Sequence, residues 1–216
     1  MLMLRTKLRN WLGRGFPGAE VIEESSDHLV LRFVTPIPEI PIKRLINRMM
    51  LTVLGMLRDS LDILRGGSGI ETEDIINRDN EVDRLYLLIE RLVMMGITDQ
   101  SILSKLGGAG SSRELVNTLM VSKSIERAGD HAWRIAQIIG EAHQMCCKLS
   151  ELHISNSVVE LGLNSTDILR EAVIAFINGD VNDAMEVLDR RVNMRGVRVL
   201  RLLSRFMAAA SCRRGW

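Results

Sequence analysis

The amino-acid sequence predicts an all-α protein: antiparallel three-helix bundles, the second of them incomplete, behind a small N-terminal β-hairpin. Three observations predict it. Aromatic residues are only 4% of the 216-residue chain, Leu, Ile, Val and Met dominate its apolar fraction, and prolines number four, a balance that favours helices over a sandwich or barrel. From residue 42 onward apolar residues recur at spacings of 3, 4 and 7, the period of one helix face. Glycine-rich joins separate the periodic stretches, and long helices with short joins close into antiparallel bundles.

Residues 1 to 18 are basic and glycine-punctuated and read as loosely ordered or as a short helix. AEVIEESSDHLVLRFV, residues 19 to 34, reads as two short strands around a polar turn at Ser25 to His28. TPIPEIP, residues 35 to 41, is a linker, because proline removes backbone donors and fixes φ. The first helix spans 42 to 64, with Leu45, Met49, Val53, Met56 and Ile63 near one face, and GGSG at 66 to 69 stops it. The second spans about 71 to 95, with the stripe Ile75, Val82, Leu85, Ile89 and Leu92. SKLGGAGSSRE, 104 to 114, is a loop that ends in a serine N-cap. The third helix, about 112 to 149, carries Val121, Ile125, Ala128, Ala132, Ile135, Ile139 and Ala142. The fourth covers about 154 to 178 and the fifth about 181 to 207, parted at Gly179.

A faint internal repeat appears at an offset of 112 residues. Leu57 and Arg58 match Leu169 and Arg170, Gly67 matches Gly179, Ile75 matches Val187, and Arg78 matches Arg190. The first two helices thus recur as the fourth and fifth. A counterpart of the third would begin near 224, beyond Trp216. The expected organisation is a basic segment with hairpin and linker at 1–41, a first three-helix bundle at 42–150, and a partial second bundle with a basic tail at 151–216.

Several function classes lose support at once. A net charge of +1 makes no electrostatic magnet for nucleic acid. Three cysteines, two of them adjacent at Cys146 and Cys147, form no disulfide framework and no zinc spacing, as expected of free thiols in a reducing cytosol. The N-terminus has no apolar run of signal-peptide length, and no stretch of 18 apolar residues exists; a cytoplasmic location is expected. GGSG and GGAG lack the Lys-Ser/Thr of a phosphate loop, no GxSxG is present, and His143 and His153 lack the Glu-x-x-His partner of di-iron bundles.

What remains is carboxylate. In INRDNEVDRLY, Asp79 and Asp83 stand at i and i+4 on one helical face. Like charges there repel, and the helical neighbours Ile75, Ile76, Val82, Tyr86 and Leu87 cannot neutralise them. The compensating charge must come from another element or from a metal ion. In SIERAGDHAWRIAQ, Glu126 and Asp130 repeat the spacing on the third helix, with Lys123 and Arg134 within a turn as local partners. That pair alone also reads as a solvated ion-pair face. Four carboxylates converging from two helices would form a hard, oxygen-rich site for Mg, Ca, Mn or Fe. His131 points about 100° from Asp130 and reads as a surface or core-edge residue.

RDNEVDRLY and SIERAGDHAWRIA, about 45 residues apart on successive helices, resemble the signature of the PhoU-type phosphate-uptake regulators. The preceding GAEVIEESSDHLVLRFV and PIPEIPIKRLINRMM resemble the archaeal branch of that family. The resemblance covers roughly residues 16 to 195. It implies PhoU-like three-helix bundles whose acidic motifs, here Asp79, Asp83, Glu126 and Asp130, hold a divalent or trivalent metal ion, with iron among the candidates. It also implies a non-catalytic regulator of phosphate uptake or phosphate signalling that contacts a phosphate transporter subunit or a sensor kinase, with peripheral contact to membrane proteins. This chain departs from the pattern in the second bundle, where the repeat offset sets Arg191 and Arg195 in the places of Asp79 and Asp83. One metal site at most is therefore expected. Nothing ahead of residue 19 is long enough for the AbrB-like domain of archaeal relatives, so no direct DNA binding is expected.

From Arg190 to Trp216 there are eight arginines and no acid. This tail reads either as a basic amphipathic helix for an anionic partner or as the solvent face of a bundle helix. An uncovered apolar side predicts a homo-oligomer. The alternatives to the regulator are a metal-dependent hydrolase, a carboxylate-bridged redox protein, or a metal-free helical scaffold whose acids only pair with arginines.

Overall fold

The computed structural model describes residues 19–25, 28–33, 41–65, 72–107, 110–144 and 155–195. The basic N-terminal segment, most of the proline linker, the GGSG join, the cysteine pair and the arginine-rich tail beyond residue 195 lie outside the described residues. Two strands, β1 (Ala19–Glu24) and β2 (Leu29–Phe33), form an antiparallel hairpin. Its register shifts between Val21 and Glu23, the mark of a bulge. Ser25 N–H donates to the His28 carbonyl at 3.0 Å, closing the polar turn that the sequence predicts.

The other elements among the described residues are helices: α1 (Ile42–Leu64), α2 (Thr72–Thr98), the short α3 (Gln100–Lys105), α4 (Ser112–Gln144), α5 (Ser155–Asn178) and α6 (Val181–Arg195). The protein is all-α apart from the hairpin. The boundaries have local causes. Asp99 caps α3, its Oδ1 accepting from Ser101 N–H at 2.8 Å. Ser111 caps α4, its Oγ accepting from Glu114 N–H, while the Glu114 carboxylate reaches back to Gly110 N–H. Gly179 ends α5 at φ +70°. Its N–H bonds to the Phe176 carbonyl and Asp180 N–H bonds to that of Ala175, a Schellman turn that favours glycine. Asp180 then caps α6 through Asn182 and Asp183 N–H.

The chain forms two compact units. The first comprises the described residues up to Val53 together with Ile76–Asp130. Its core includes Leu45, Met49 and Val53 of α1, Val82, Leu85, Ile89 and Leu92 of α2, and Leu115 and Ile125 of α4. Ile42 N–H donates to the Leu106 carbonyl at 2.9 Å, tying the start of α1 to the residue after α3. A Cβ on Gly96 would come within 2.8 Å of the Leu106 and Leu115 side chains, so α2 has room for no side chain there. The second unit comprises Leu54–Ile75 and the described residues from His131 onward. It buries Met56, Leu61, Ile63, Ile75, Ala132, Ala136, Ile139, Val159, Val173 and Val187. Ser60 Oγ shares its proton between the Met56 and Ala132 carbonyls, at 2.8 and 2.9 Å.

The stripes predicted for the first two helices are buried residue for residue. On α4 the predicted Ile125, Ala132 and Ile139 are buried, and the rest of the buried line differs. Ser122, Gly129 and Ala136 are buried beside them, whereas Val121, Ala128 and Ile135 are half-buried. Small residues can line a helix contact as well as large ones, and a hydropathy count favours the large ones. The helix α3 and the last turn of α2 extend past the predicted end near 95.

Candidate metal centre

All four predicted acids belong to the first unit, on α2 and α4. Three of them converge. Asp83 of α2 and Glu126 and Asp130 of α4 each offer a carboxylate oxygen, and these oxygens lie within 4.8 Å of one another. Asp130 is exposed and Glu126 is nine-tenths buried. The i, i+4 spacing places Glu126 and Asp130 on one side of α4, and Asp83 reaches them from α2.

Asp79 is not part of this trio. Its Oδ1 is buried and has no hydrogen-bond partner. A Cβ built on Gly129 would lie 3.5 Å from that oxygen, 3.4 Å from Val53 and 3.5 Å from Val82. Asp79 thus sits behind the trio, against the α4 backbone. Those distances are ordinary contacts, so Gly129 makes the approach easy without being indispensable to it.

The electrostatics follow from four acids in a half-buried site. Burial, then the charges of Asp83, Asp130 and Glu126, push the Asp79 carboxyl up to about 6. Burial, then Glu126 and Asp130, raise that of Asp83, against a smaller lowering by Lys123. Both shifts say that the ionised acids lack compensation. One oxygen of Glu126 is compensated: Lys123 Nζ donates to Oε1 at 2.6 Å, and this bond raises the lysine in turn. The other, Oε2, is buried and has no hydrogen-bond partner. Lys123 also lies over the Tyr86 ring, 4.9 Å from its centroid, a cation–π contact between helices that residue spacing does not predict. Tyr86 is three residues after Asp83, but only the register of α2 against α4 reveals what its ring faces. The second predicted local partner, Arg134, turns to Gln137 at 3.5 Å; among the described residues it makes no ion pair with Asp130. His131 is exposed, as expected.

The donor set fits a hard cation. It is all carboxylate oxygen, it leaves a buried Glu126 oxygen unpartnered, and the charge it most lacks is positive.

Comparison with protein families gives a match that spans both acidic motifs. The PhoU domain matches residues 46–139. Residues 46–139 are thus similar to a PhoU domain. The match covers α2 and most of α1 and α4, where the carboxylates stand. Comparison with curated proteins and with solved structures returned no match. Among the described residues, no helix is long and apolar enough to cross a membrane.

Proposed function

We propose that this PhoU-type chain acts in the cytoplasm as a regulator of phosphate uptake or phosphate signalling. It does so by contact with a phosphate transporter subunit or a sensor kinase, with a metal ion held by Asp83, Glu126 and Asp130. The observation that carries this reading is the convergence of one carboxylate oxygen each from Asp83, Glu126 and Asp130 within the PhoU match, where Glu126 also holds a buried oxygen without a hydrogen-bond partner. A divalent or trivalent ion, with iron among the candidates, would supply the positive charge that these acids lack. Asp83 belongs to α2 and the other two to α4, so shared ligation would fix one helix against the other. Asp79, behind the trio, would stay ionised more readily beside such a charge.

The regulator reading asks only that the helices be held in one arrangement. A hydrolase would need an open coordination position and a general base that substrate can reach. The acid raised furthest, Asp79, has a buried Oδ1 against the backbone of α4, a poor place from which to accept a substrate proton. The test is phosphate uptake by cells that express the wild-type chain or an Asp83→Ala, Asp130→Ala double variant in place of their own regulator. The proposal expects the two strains to differ in uptake when phosphate is plentiful. Identical uptake, at equal protein levels, would contradict it.

A further inference from the structure

The metal reading leaves Lys123 without a role, yet the lysine is held more firmly than its position warrants. Its side chain is half exposed, and an exposed lysine ordinarily gains little from an ion pair while losing the freedom of four rotatable bonds. Here two contacts from two helices fix it. Glu126 Oε1 of α4 takes its ammonium at 2.6 Å, and the Tyr86 ring of α2 lies beneath it at 4.9 Å. The two oxygens of Glu126 are thereby divided: Oε1 belongs to the lysine, and Oε2 is buried without a hydrogen-bond partner, in a carboxylate that offers an oxygen within 4.8 Å of those of Asp83 and Asp130. An ammonium at this point lends the acids positive charge from within the chain.

We propose that Lys123 is the resident counter-ion of the carboxylate trio, holding Glu126 in place when no metal is bound and competing with a metal cation for it. The inference rests on the metal reading above. A cation shared by Asp83, Glu126 and Asp130 meets the lysine charge a few ångströms away. Either the ammonium stays on Oε1 and repels the ion, or it leaves Glu126 and gives up both of its contacts. Each course weakens metal binding relative to the same trio without the lysine, and each gives the metal-free protein a stable state. Tyr86 takes part as the perch: without its ring the ammonium is held by one contact instead of two.

The test uses the full chain, freed of metal with a chelator and then dialysed. Mn²⁺ is titrated by calorimetry into wild type, Lys123→Met, Tyr86→Leu and an Asp83→Asn, Asp130→Asn double variant, and thermal unfolding is followed with and without the ion. Lys123→Met is expected to bind Mn²⁺ about tenfold tighter than wild type while melting lower than wild type in the absence of metal. Tyr86→Leu is expected to shift both readings in the same direction by less, and it carries the test alone should Lys123→Met not fold. Equal or weaker Mn²⁺ binding by Lys123→Met, with wild type binding normally, overturns the counter-ion role and leaves the metal site intact. No Mn²⁺ binding by wild type or by either single variant overturns the metal site and the inference together.

Discussion

Two charged clusters in this protein are built from similar residues and behave differently. In the first unit, Asp79, Asp83, Glu126 and Asp130 face one lysine, and two buried carboxylate oxygens, Asp79 Oδ1 and Glu126 Oε2, have no hydrogen-bond partner. In the second, on α5 and α6, acids and arginines alternate. Arg170 reaches Asp167 at 3.6 Å and Glu171 at 3.9 Å, and Arg190 bonds to Glu171. The Nε of Arg170 is buried without a partner, but every acid of this cluster has a guanidinium. The internal repeat sharpens the contrast. At the positions that correspond to Asp79 and Asp83, α6 carries Arg191 and Arg195. A cluster with its own arginines carries its compensating charge within the chain; a cluster of acids that one lysine cannot neutralise lacks it. Unpaired buried charge is costly enough to call for a ligand or a function.

That contrast can be broken at four positions, taken in decreasing order of effect. Glu126→Gln removes a proposed ligand and should weaken Mn²⁺ binding by about a hundredfold or more, beyond what loss of a supporting residue produces; calorimetry reads it directly. Gly129→Leu forces bulk between Val53, Val82 and Asp79 and should destabilise by about 1–3 kcal/mol, as overpacking does. Gly129→Ala, by comparison, should be near neutral or gain from helix propensity; urea unfolding separates the two. Asp79→Asn should stabilise the metal-free protein at pH 7 by about 1 kcal/mol, discounted because the group is only half buried. The sign follows from linkage. The carboxyl is raised in the folded state to about 6 from 3.8, so the folded protein binds the extra proton and loses stability as pH rises between those values. The gain of Asp79→Asn should therefore vanish below pH 4 in melts run across pH. Arg190→Ala, in the paired cluster, should cost no more than about 1 kcal/mol, as exposed pairs do, and leave Mn²⁺ binding unchanged.

Much of this was legible in the sequence. Gly66, Gly179, Ser111 and the prolines before residue 42 punctuate the chain where its helices begin and end, because caps and breaks are local chemistry. The acid pairs were legible for the same reason: i, i+4 spacing fixes a shared face on any helix. So was the bond from Lys123 to Glu126, which spans one turn. The rest depends on how α2 meets α4. The separation of Asp79 from the trio, the Tyr86 ring beneath Lys123, and the small-residue line Ser122, Gly129 and Ala136 on α4 are all products of interhelix register. The short helix α3 left a local signal, Asp99 two residues before Ser101, in a stretch whose apolar pattern is too brief to declare itself.

The central claim is that the acids of α2 and α4 form a metal site. The most direct measurement is the metal content of protein purified without chelator, by elemental analysis, for wild type and for the Asp83→Ala, Asp130→Ala variant. The account predicts about one equivalent of a di- or trivalent metal in wild type and its loss in the variant, with both proteins folded by circular dichroism. Equal and negligible metal in the two, persisting after incubation with Mn²⁺ or Fe²⁺, would contradict it and leave a helical scaffold whose acids serve another end.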